Sequence, residues 1–445
     1  MRSLSSKLSV IILIVLIQSA TLILASDEVP SKKQDHPIAL IGATIHPVNG
    51  AVIENGTILF EKGKITKLGT GITLPSGTES IDVTGKHIYP GLINADTRLG
   101  LLEVGSVPGS RDDDELGAMN PNVKAEVALN PDSELFSVVR AHGITVVNSF
   151  PRGGIISGKS AAIMLDGWTW EDLTLKAPVA MHMNWPSMTL NRAWWNTTSE
   201  EDQIKARKEA LEKIDRFFDD AKAYMTAKAV SGKNGLPNQK VDLRLEAMIP
   251  VLKGELPLWI AASEIKQIQS AIDWAESKGI KTVIYGGADT WRLAEELNKM
   301  NIPVVISSVL DVPSRAWEAY DTGYTLANKL YQAGVKFCIG YATFAGEQHN
   351  VRYNAAMAVA YGLPVDEGIK SITIYAAEIM GVDDRVGSLE VGKDATLIVT
   401  NGNPLEITTS VSMEFIEGRV IDLDNKHKRL YRKYTEKYRQ KGILK

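Results

Sequence analysis

Short runs of alternating apolar and polar residues mark both ends of the chain beyond residue 37, and longer periodic segments fill the middle. Strand-like runs punctuated by Gly, Asn and Pro lie at residues 38–41, 56–60 and 64–68, and the same pattern returns at 395–399 and 413–420. Two β-rich ends that flank a long middle predict one small discontinuous β-sandwich, built from both ends of the chain.

Predicted strands and helices alternate through the middle of the chain. Short apolar runs predict strands at 143–147, 178–181, 258–261, 281–285, 303–306 and 335–339. Ser199 and Asp202 begin a long charged helix in capping-box fashion, and a second helix starts near Ile265 and ends at Gly279. Repeated βα units of this spacing predict a parallel sheet, either doubly wound or closed. Because no Gly-rich phosphate fingerprint follows the first strand, we expect a (β/α)8 TIM-like barrel.

Composition narrows the class of protein. The 445 residues suffice for one large domain and a smaller one, and 44% apolar with 23% charged residues is typical of a soluble globular protein. A net charge of −4 without a basic stripe along the fold excludes nucleic acid as an expected partner. The one basic stretch, residues 426–445, interleaves Lys and Arg with Leu430 and three tyrosines, which predicts a solvated helix packed by one face.

The N-terminus predicts export. Arg2 and Lys7 precede an apolar run over residues 8–25, and small residues follow at Ala25 and Ser26. This order is typical of a secretory signal peptide, here residues 1–26, with an uncleaved membrane anchor as the alternative. We therefore expect a secreted or periplasmic protein that meets the membrane only through this segment. Cys338 is the only cysteine, so no intramolecular disulfide can form.

Two segments carry a resemblance to a known family. Residues 86–100, Lys-His-Ile-Tyr-Pro-Gly-Leu-Ile-Asn-Ala-Asp-Thr-Arg-Leu-Gly, resemble the first barrel strand of the amidohydrolase superfamily, which is written Pro-Gly-Leu-Ile-Asp-x-His-x-His. Residues 375–404 are similar to its imidazolonepropionase-like and prolidase-like branch, and the closing Glu-Gly-Arg-Val at 417–420 resembles the family's last sandwich strand. The resemblance implies sandwich strands at 37–88 and 381–423 and a barrel over 89–380. The residue pattern beyond them predicts a basic C-terminal helix at 424–445.

The resemblance also implies a metal site that this sequence does not reproduce. Active members hold a divalent metal such as zinc at the C-terminal mouth of the barrel, with two His from strand one, further His from strands five and six, and an Asp from strand eight. The metal activates a water molecule for hydrolysis. The strand-one histidines are replaced here by Asp96 and Arg98. We expect no cofactor, because the ligand set is missing.

The remaining ligand positions depart in the same way. No histidine lies between His182 and His349, and the matching positions on strands five and six are Ala261 or Ala262, and Tyr285. Strand eight ends at residues 339–343 without an Asp. Losing the whole set removes a metal site of the family's kind.

Five residues are candidates for whatever chemistry remains at the mouth. Alternation along a strand predicts that Asp96 and Arg98 face the same way and form an ion pair. Either Arg98 replaces the metal as an anion anchor, or the pair only fills the vacated site. His349 is expected on a mouth loop, as an acid–base residue or as an ordinary surface histidine. His182 ends a predicted strand, where it faces the mouth or the core, and Tyr285 is the fifth candidate.

Two further features have open interpretations. Residues 153–158 are glycine-rich and form either an anion-binding nest or a tight turn. A group of tryptophans suits either a sugar or peptide pocket or a packed lid; its members are Trp168, Trp170, Trp185, Trp194 and Trp195.

Three functions are compatible with these observations. The first is an exported member of the lineage that hydrolyses non-peptide or small-peptide C–N bonds, with activity reduced or absent. The alternative is a pseudoenzyme that serves as the partner subunit of a metal-competent amidohydrolase homologue. A carbohydrate- or peptide-binding scaffold is the third. We expect a small amide or peptide ligand and a homo- or hetero-oligomer, and the sequence leaves open whether the chain is an enzyme.

Overall fold

The structure is a computed structural model that describes residues 29–231, 239–313, 315–342 and 345–444. The predicted signal peptide, residues 1–26, lies outside the described residues. Within those ranges, none of the helices has the length and apolar character needed to cross a membrane.

Strands are distributed along the described chain as the alternation predicted. They are β1 (Ile38–Ile45), β2 (Ile53–Glu61), β3 (Lys64–Gly69), β4 (Glu79–Asp82), β5 (His87–Pro90), β6 (Leu92–Thr97), β7 (Ile144–Ser149), β8 (Ile156–Lys159), β9 (Ala161–Met164), β10 (Thr174–Lys176), β11 (Met181–Asn184), β12 (Leu258–Ala262), β13 (Thr282–Gly286), β14 (Val304–Ile306), β15 (Phe337–Ile339), β16 (Leu397–Thr400), β17 (Val411–Ile416) and β18 (Arg419–Val420).

Helices fill the connections between these strands and close the chain. They are α1 (Glu134–Arg140), α2 (Trp170–Leu173), α3 (Glu200–Val230), α4 (Leu243–Leu252), α5 (Ile265–Lys278), α6 (Ala294–Lys299), α7 (Thr322–Gln332), α8 (Val351–Ala360), α9 (Val365–Ser371), α10 (Ile374–Met380) and α11 (Lys426–Gln440).

Strands from the two ends of the chain join one sheet. Its order is β18-β17-β16-β5-β1-β2-β3, and β4 adds to β1. The junction is antiparallel between β16 and β5, where Leu397 lies opposite Pro90. The prediction that both ends build one β unit is therefore confirmed at the level of hydrogen bonding.

The middle of the chain forms parallel βα units in two hydrogen-bonded sheets. One has the order β10-β9-β7-β6 and the other β15-β14-β13-β12-β11-β8. Strands β11 to β15 pair in parallel, as do β6 and β7. The Asn94 side chain on β6 donates to the backbone carbonyl of Tyr341 (3.1 Å) and accepts from its N–H (3.0 Å), which ties the first parallel strand to the residues after the last.

Local sequence signals set the helix ends. Ser199 Oγ accepts from the Asp202 backbone N–H (3.0 Å), as the capping box predicts, and also donates to the Asp202 carboxylate (2.7 Å). Gly279 ends α5 in the left-handed region at φ 66°. The strand predicted at 178–181 lies slightly later, at Met181–Asn184. The second half of the glycine-rich segment 153–158 is a strand and not a nest or a turn, because β8 begins at Ile156 and pairs antiparallel with β11.

Candidate functional site

A cavity opens where the parallel strands end. It measures about 380 Å³ and is lined by residues at, or just beyond, the carboxyl ends of successive strands, including Asn184, Ala262, Gly286, Ser307 and Ala342. Carboxyl ends of parallel strands meet at one edge of a sheet, which is where barrel proteins build their sites. We call this cavity the mouth pocket.

A buried carboxylate lies at the base of the mouth pocket. Asp96, near the end of β6, is fully buried, and its two carboxylate oxygens accept from the Arg152 guanidinium and from the Ser307 hydroxyl. Arg152 follows β7 and Ser307 follows β14, so three segments that are distant in sequence meet at one carboxylate. Arg152 and Ser307 both line the pocket. Arg152 and Asp96 thus form a hydrogen-bonded ion pair whose net charge is zero.

The surroundings of Arg152 hold its guanidinium in place. The guanidinium carbon lies 4.4 Å from the ring centroid of Phe150 and 5.6 Å from that of Tyr285. The Asn184 amide donates to the backbone carbonyls of Arg152 and Gly154, each at 2.8 Å. Burial disfavours the charged guanidinium, but the negative charge of Asp96 and its hydrogen bond outweigh this effect and raise the pKa of Arg152. Arg152 therefore stays a cation under the pocket.

His182 lies in the aromatic layer beneath this pair. Its ring stacks on Phe150 at a centroid distance of 3.7 Å and contacts Trp259 and Tyr285 at 5.4 and 5.6 Å. The side chain is fully buried, and neither ring nitrogen has a hydrogen-bond partner among the described residues. Burial, followed by the positive charge of Arg152, lowers its pKa well below the ordinary value. His182 is thus a neutral core histidine.

Tyr285 combines a core ring with a hydroxyl group at the pocket. Its side chain is buried, and the hydroxyl lies 3.5 Å from Asn184 Oδ1, at the limit of a hydrogen bond. Burial raises the pKa of the phenol, so the hydroxyl remains a neutral donor. Tyr285 and the neighbouring Ala261 both line the mouth pocket.

The predicted pair between Asp96 and Arg98 is wrong. Arg98 donates instead to Asp113 at 2.7 Å, and Asp113 also lies 3.5 Å from Arg111. The physical reason is that β6 ends at Thr97, whose hydroxyl accepts the Leu99 N–H and turns the chain. Alternation of faces applies only within the strand, so Arg98 leaves the side on which Asp96 lies.

His349 also lies away from the Asp96 pair. Its ring stacks on His142 at 4.4 Å, next to α1 and the start of α11. Burial lowers the pKa of His349 to about 4, with further contributions from His142, His427 and Arg352. Its ring contact is thus with His142, the histidine that precedes β7, rather than with the mouth pocket.

The tryptophans do not form one cluster. Trp194 and Trp195 make an exposed edge-to-face pair with ring centroids 5.7 Å apart, on the connection that follows β11. Trp185 is buried and packs on Trp274, and Trp168 lines a different cavity near Pro30. Trp185, Trp194 and Trp195 therefore follow the carboxyl end of β11, at the mouth, whereas Trp168 lies elsewhere.

Sequence reasoning missed Arg152, Ser307 and Asn184. Each follows or ends a parallel strand, and that position is the signal that could have identified them. Polar residues at the ends of the predicted strands therefore indicate the pocket better than the number and position of histidines.

The family's ligand positions now have a defined environment. Asp96 is engaged by Arg152, Arg98 is turned away to Asp113, and the remaining positions carry Ala261 and Tyr285. Among the described ranges, no group of three or more His, Cys, Asp or Glu side chains could hold a metal ion.

Comparison with known proteins defines the class. The chain has parallel strands with a polar site at their carboxyl ends. The model of the amidohydrolase family matches it over residues 87–422. The chain therefore belongs to the amidohydrolase family.

Individual relatives agree with this assignment. Amidohydrolase tasK of Hapsidospora irregularis is 20% identical over 387 residues, covering 82% of this chain, which spans only 39% of that protein. The crystal structure of an amidohydrolase from Thermotoga maritima has a TM-score of 0.76 at 26% identity, covering 86% of this chain and 99% of that one. A putative prolidase from Bifidobacterium longum shares the fold, with a TM-score of 0.51 at 16% identity over 90% and 100% of the two chains.

Proposed function

We propose that this chain is an amidohydrolase-family pseudoenzyme that binds a small amide or peptide ligand in the mouth pocket without metal-dependent hydrolysis. The observation that supports this most directly is the salt bridge between Arg152 and the buried Asp96, closed by Ser307. Among the positions matched to the family's metal ligands, Asp96 carries the one carboxylate, and a guanidinium already stands beside it.

The chemistry of the donor set argues against a zinc site here. Zinc sites use neutral imidazole, thiolate and carboxylate ligands, usually four in number. Asp96 is already paired with the Arg152 guanidinium, and Tyr285 keeps its proton because burial raises the pKa of its hydroxyl. A dication at Asp96 would have to displace Arg152 and leave a largely buried guanidinium without its partner, which is costly.

The same residues suit a polar neutral ligand. Ser263 and Gln267, together with Asn184 and Ser307, line the pocket. The Asn184 amide nitrogen donates to Arg152 and Gly154 and the Ser307 hydroxyl donates to Asp96, so the oxygen atoms of these two side chains are left to accept from a ligand. Trp185 provides an apolar wall at the same cavity. Donors and acceptors beside an aromatic surface recognise an amide or a short peptide.

Metal analysis tests the proposal. The purified chain is dialysed against a chelator, loaded with zinc, dialysed again and assayed for metal content and for hydrolysis of Xaa-Pro dipeptides, with a metal-dependent prolidase as positive control. We expect no stoichiometric zinc and no zinc-stimulated hydrolysis. Stoichiometric zinc that resists dialysis, together with activity lost on its removal, would overturn the proposal.

A weak C–N hydrolase is the second candidate. The observation that favours it is the 26% identity to the Thermotoga maritima amidohydrolase over 99% of that chain. Hydrolysis in the same assay that persists without metal and disappears in Asp96→Asn would support this candidate. A metal-competent homologue that co-purifies with the chain would instead support a role as partner subunit.

We also infer two finer features of the fold. Strands β6, β7 and β11–β15 supply seven of the eight strands of a closed (β/α)8 barrel, which is supported by the bonds from Asn94 on the first of these strands to Tyr341, two residues beyond the last. The sheet shared by the two ends belongs to a small sandwich. An experimental structure tests both features.

Export is proposed from the sequence alone. The apolar run at 8–25 behind Arg2 and Lys7 supports a secretory signal. Cell fractionation with N-terminal sequencing tests it. A mature N-terminus near residue 27 in the periplasm or medium is expected, and an intact N-terminus in the membrane fraction would instead show an anchor.

A further inference from the structure

Helix α11 has an apolar stripe that the other described residues leave largely exposed. The sequence predicts that this helix packs by one face, but none of its residues is buried. Leu430, Tyr434 and Tyr438 recur every four residues, and Tyr431 widens the stripe to an arc of about 100°. These four side chains are 40–73% exposed. The prediction of one-sided packing is therefore wrong for the described residues.

The helix is also the most basic part of the chain. Residues 426–445 carry nine Lys and Arg side chains against the single acid Glu436, a net charge of +8. The whole chain has a net charge of −4, so the remainder carries −12. Lys433 and Lys437 border the apolar stripe, and the Lys437 ammonium lies 5.5 Å from the ring centroid of Tyr434.

Contacts at its first turns hold the helix on the body of the protein. Arg429 pairs with Glu134 on α1 at 2.6 Å, and Asn425 caps the helix by accepting the Lys428 N–H at 3.0 Å. Arg429 precedes Leu430, so the two side chains point about 100° apart around the helix. The attachment and the apolar stripe thus use different sides.

We propose that α11 docks the protein on an anionic phospholipid surface. A helix with a basic face and an apolar face lies in the membrane interface, where tyrosine is favoured at the level of the headgroups. Leu430, Tyr434 and Tyr438 enter the interface, and Lys433 and Lys437 contact the phosphates. Charge complementarity selects this partner, because each basic residue near an anionic surface strengthens binding. The inference is independent of the mouth pocket.

Vesicle binding tests the proposal. The full chain is sedimented with vesicles of phosphatidylcholine alone and of an equal mixture with phosphatidylglycerol. We expect binding only to the mixed vesicles, weakened by added salt. The double variant Lys433→Glu/Lys437→Glu should bind at least about tenfold more weakly, because two attractive charges become repulsive. The control Lys205→Glu/Lys208→Glu makes the same change in charge on α3 and should bind like the unmodified chain.

Three outcomes overturn the proposal. One is equal binding to both vesicle types, and another is an unchanged affinity in the α11 variant. The third is dimerisation that needs α11 without vesicle binding, which would assign the stripe to a second copy of the chain. Thermal unfolding of every variant confirms that the fold is retained, and the N-terminal segment is common to all of them, so it cannot produce the difference.

Discussion

The carboxylate of Asp96, on the first parallel strand, is held by the guanidinium of Arg152, which follows the second strand. This pair occupies the place where the resemblance to amidohydrolases implies metal ligands. Because Asp96 is buried, removing either partner leaves the charge of the other without compensation.

Removing one partner of this pair should destabilise the protein strongly. In Asp96→Ala, Arg152 keeps its charge but loses its counter-ion in a largely buried site. We expect a loss of about 3 kcal/mol in the free energy of unfolding, measured by urea denaturation. The control Arg192→Ala breaks an exposed pair with Glu200 and should cost less than about 1 kcal/mol. A loss in Asp96→Ala no larger than in the control would contradict the assigned pairing.

Gly340 has no room for a side chain beside Asp96. A Cβ added there would lie 2.7 Å from the Asp96 Cβ and 3.3 Å from its backbone nitrogen. We expect Gly340→Ala to lower the free energy of unfolding by about 1–3 kcal/mol through overpacking. Gly105→Ala, where nothing lies within 4 Å, is the matched control and should be nearly neutral. Similar unfolding curves for the two variants would be inconsistent with this packing.

Glu414 should make stability fall as the pH rises. It is fully buried on β17, neither carboxyl oxygen has a hydrogen-bond partner among the described residues, and burial raises its pKa well above the ordinary value. Above about pH 4.5 the unfolded chain loses this proton while the folded chain keeps it, so ionisation favours unfolding. Glu414→Gln should remove this dependence and gain on the order of 1–3 kcal/mol at pH 7, measured by urea titrations between pH 4 and 8. A less stable variant at pH 7 would show that Glu414 is ionised and paired.

His349 should have the opposite effect on the acid side. Burial and then His142 lower its pKa to about 4 in the folded chain, against about 6.5 when unfolded. Its stabilising contribution is present above pH 6.5 and is lost as the pH falls towards 4, because only the unfolded state then binds the proton. We expect His349→Gln to reduce the loss of stability between pH 7 and 4 by on the order of 1–2 kcal/mol, measured by thermal unfolding. Parallel pH profiles for variant and unmodified chain would rule this out.

Much of the fold was readable from local patterns. The capping box at Ser199, the helix end at Gly279 and the strands from β12 to β15 depend on backbone preferences and apolar periodicity, which act over a few residues. The overall architecture was predicted from the family segments near residues 90 and 380, because members of this family share one order of strands and helices. Strand ends were less certain, since a single hydroxyl at Thr97 was enough to end β6 before Arg98.

The site was only partly predictable. Sequence placed Asp96, Ala261 and Tyr285 near the mouth, and the structure lines the pocket with two of them and puts Asp96 in contact with two pocket residues. The true partner, Arg152, lies 56 residues away from Asp96, so no local pattern connects them. His349 was misplaced because the direction of a loop after the last strand depends on what it packs against.

The sequence by itself determined the family, the alternation of strands and helices, and the absence of the usual histidines at the mouth, because these follow from residue types at fixed spacing. Tertiary structure alone decided which guanidinium neutralises Asp96, where His349 lies and whether α11 is covered. Those outcomes depend on burial and on charges brought together from distant segments, and neither is encoded in any short stretch of the chain.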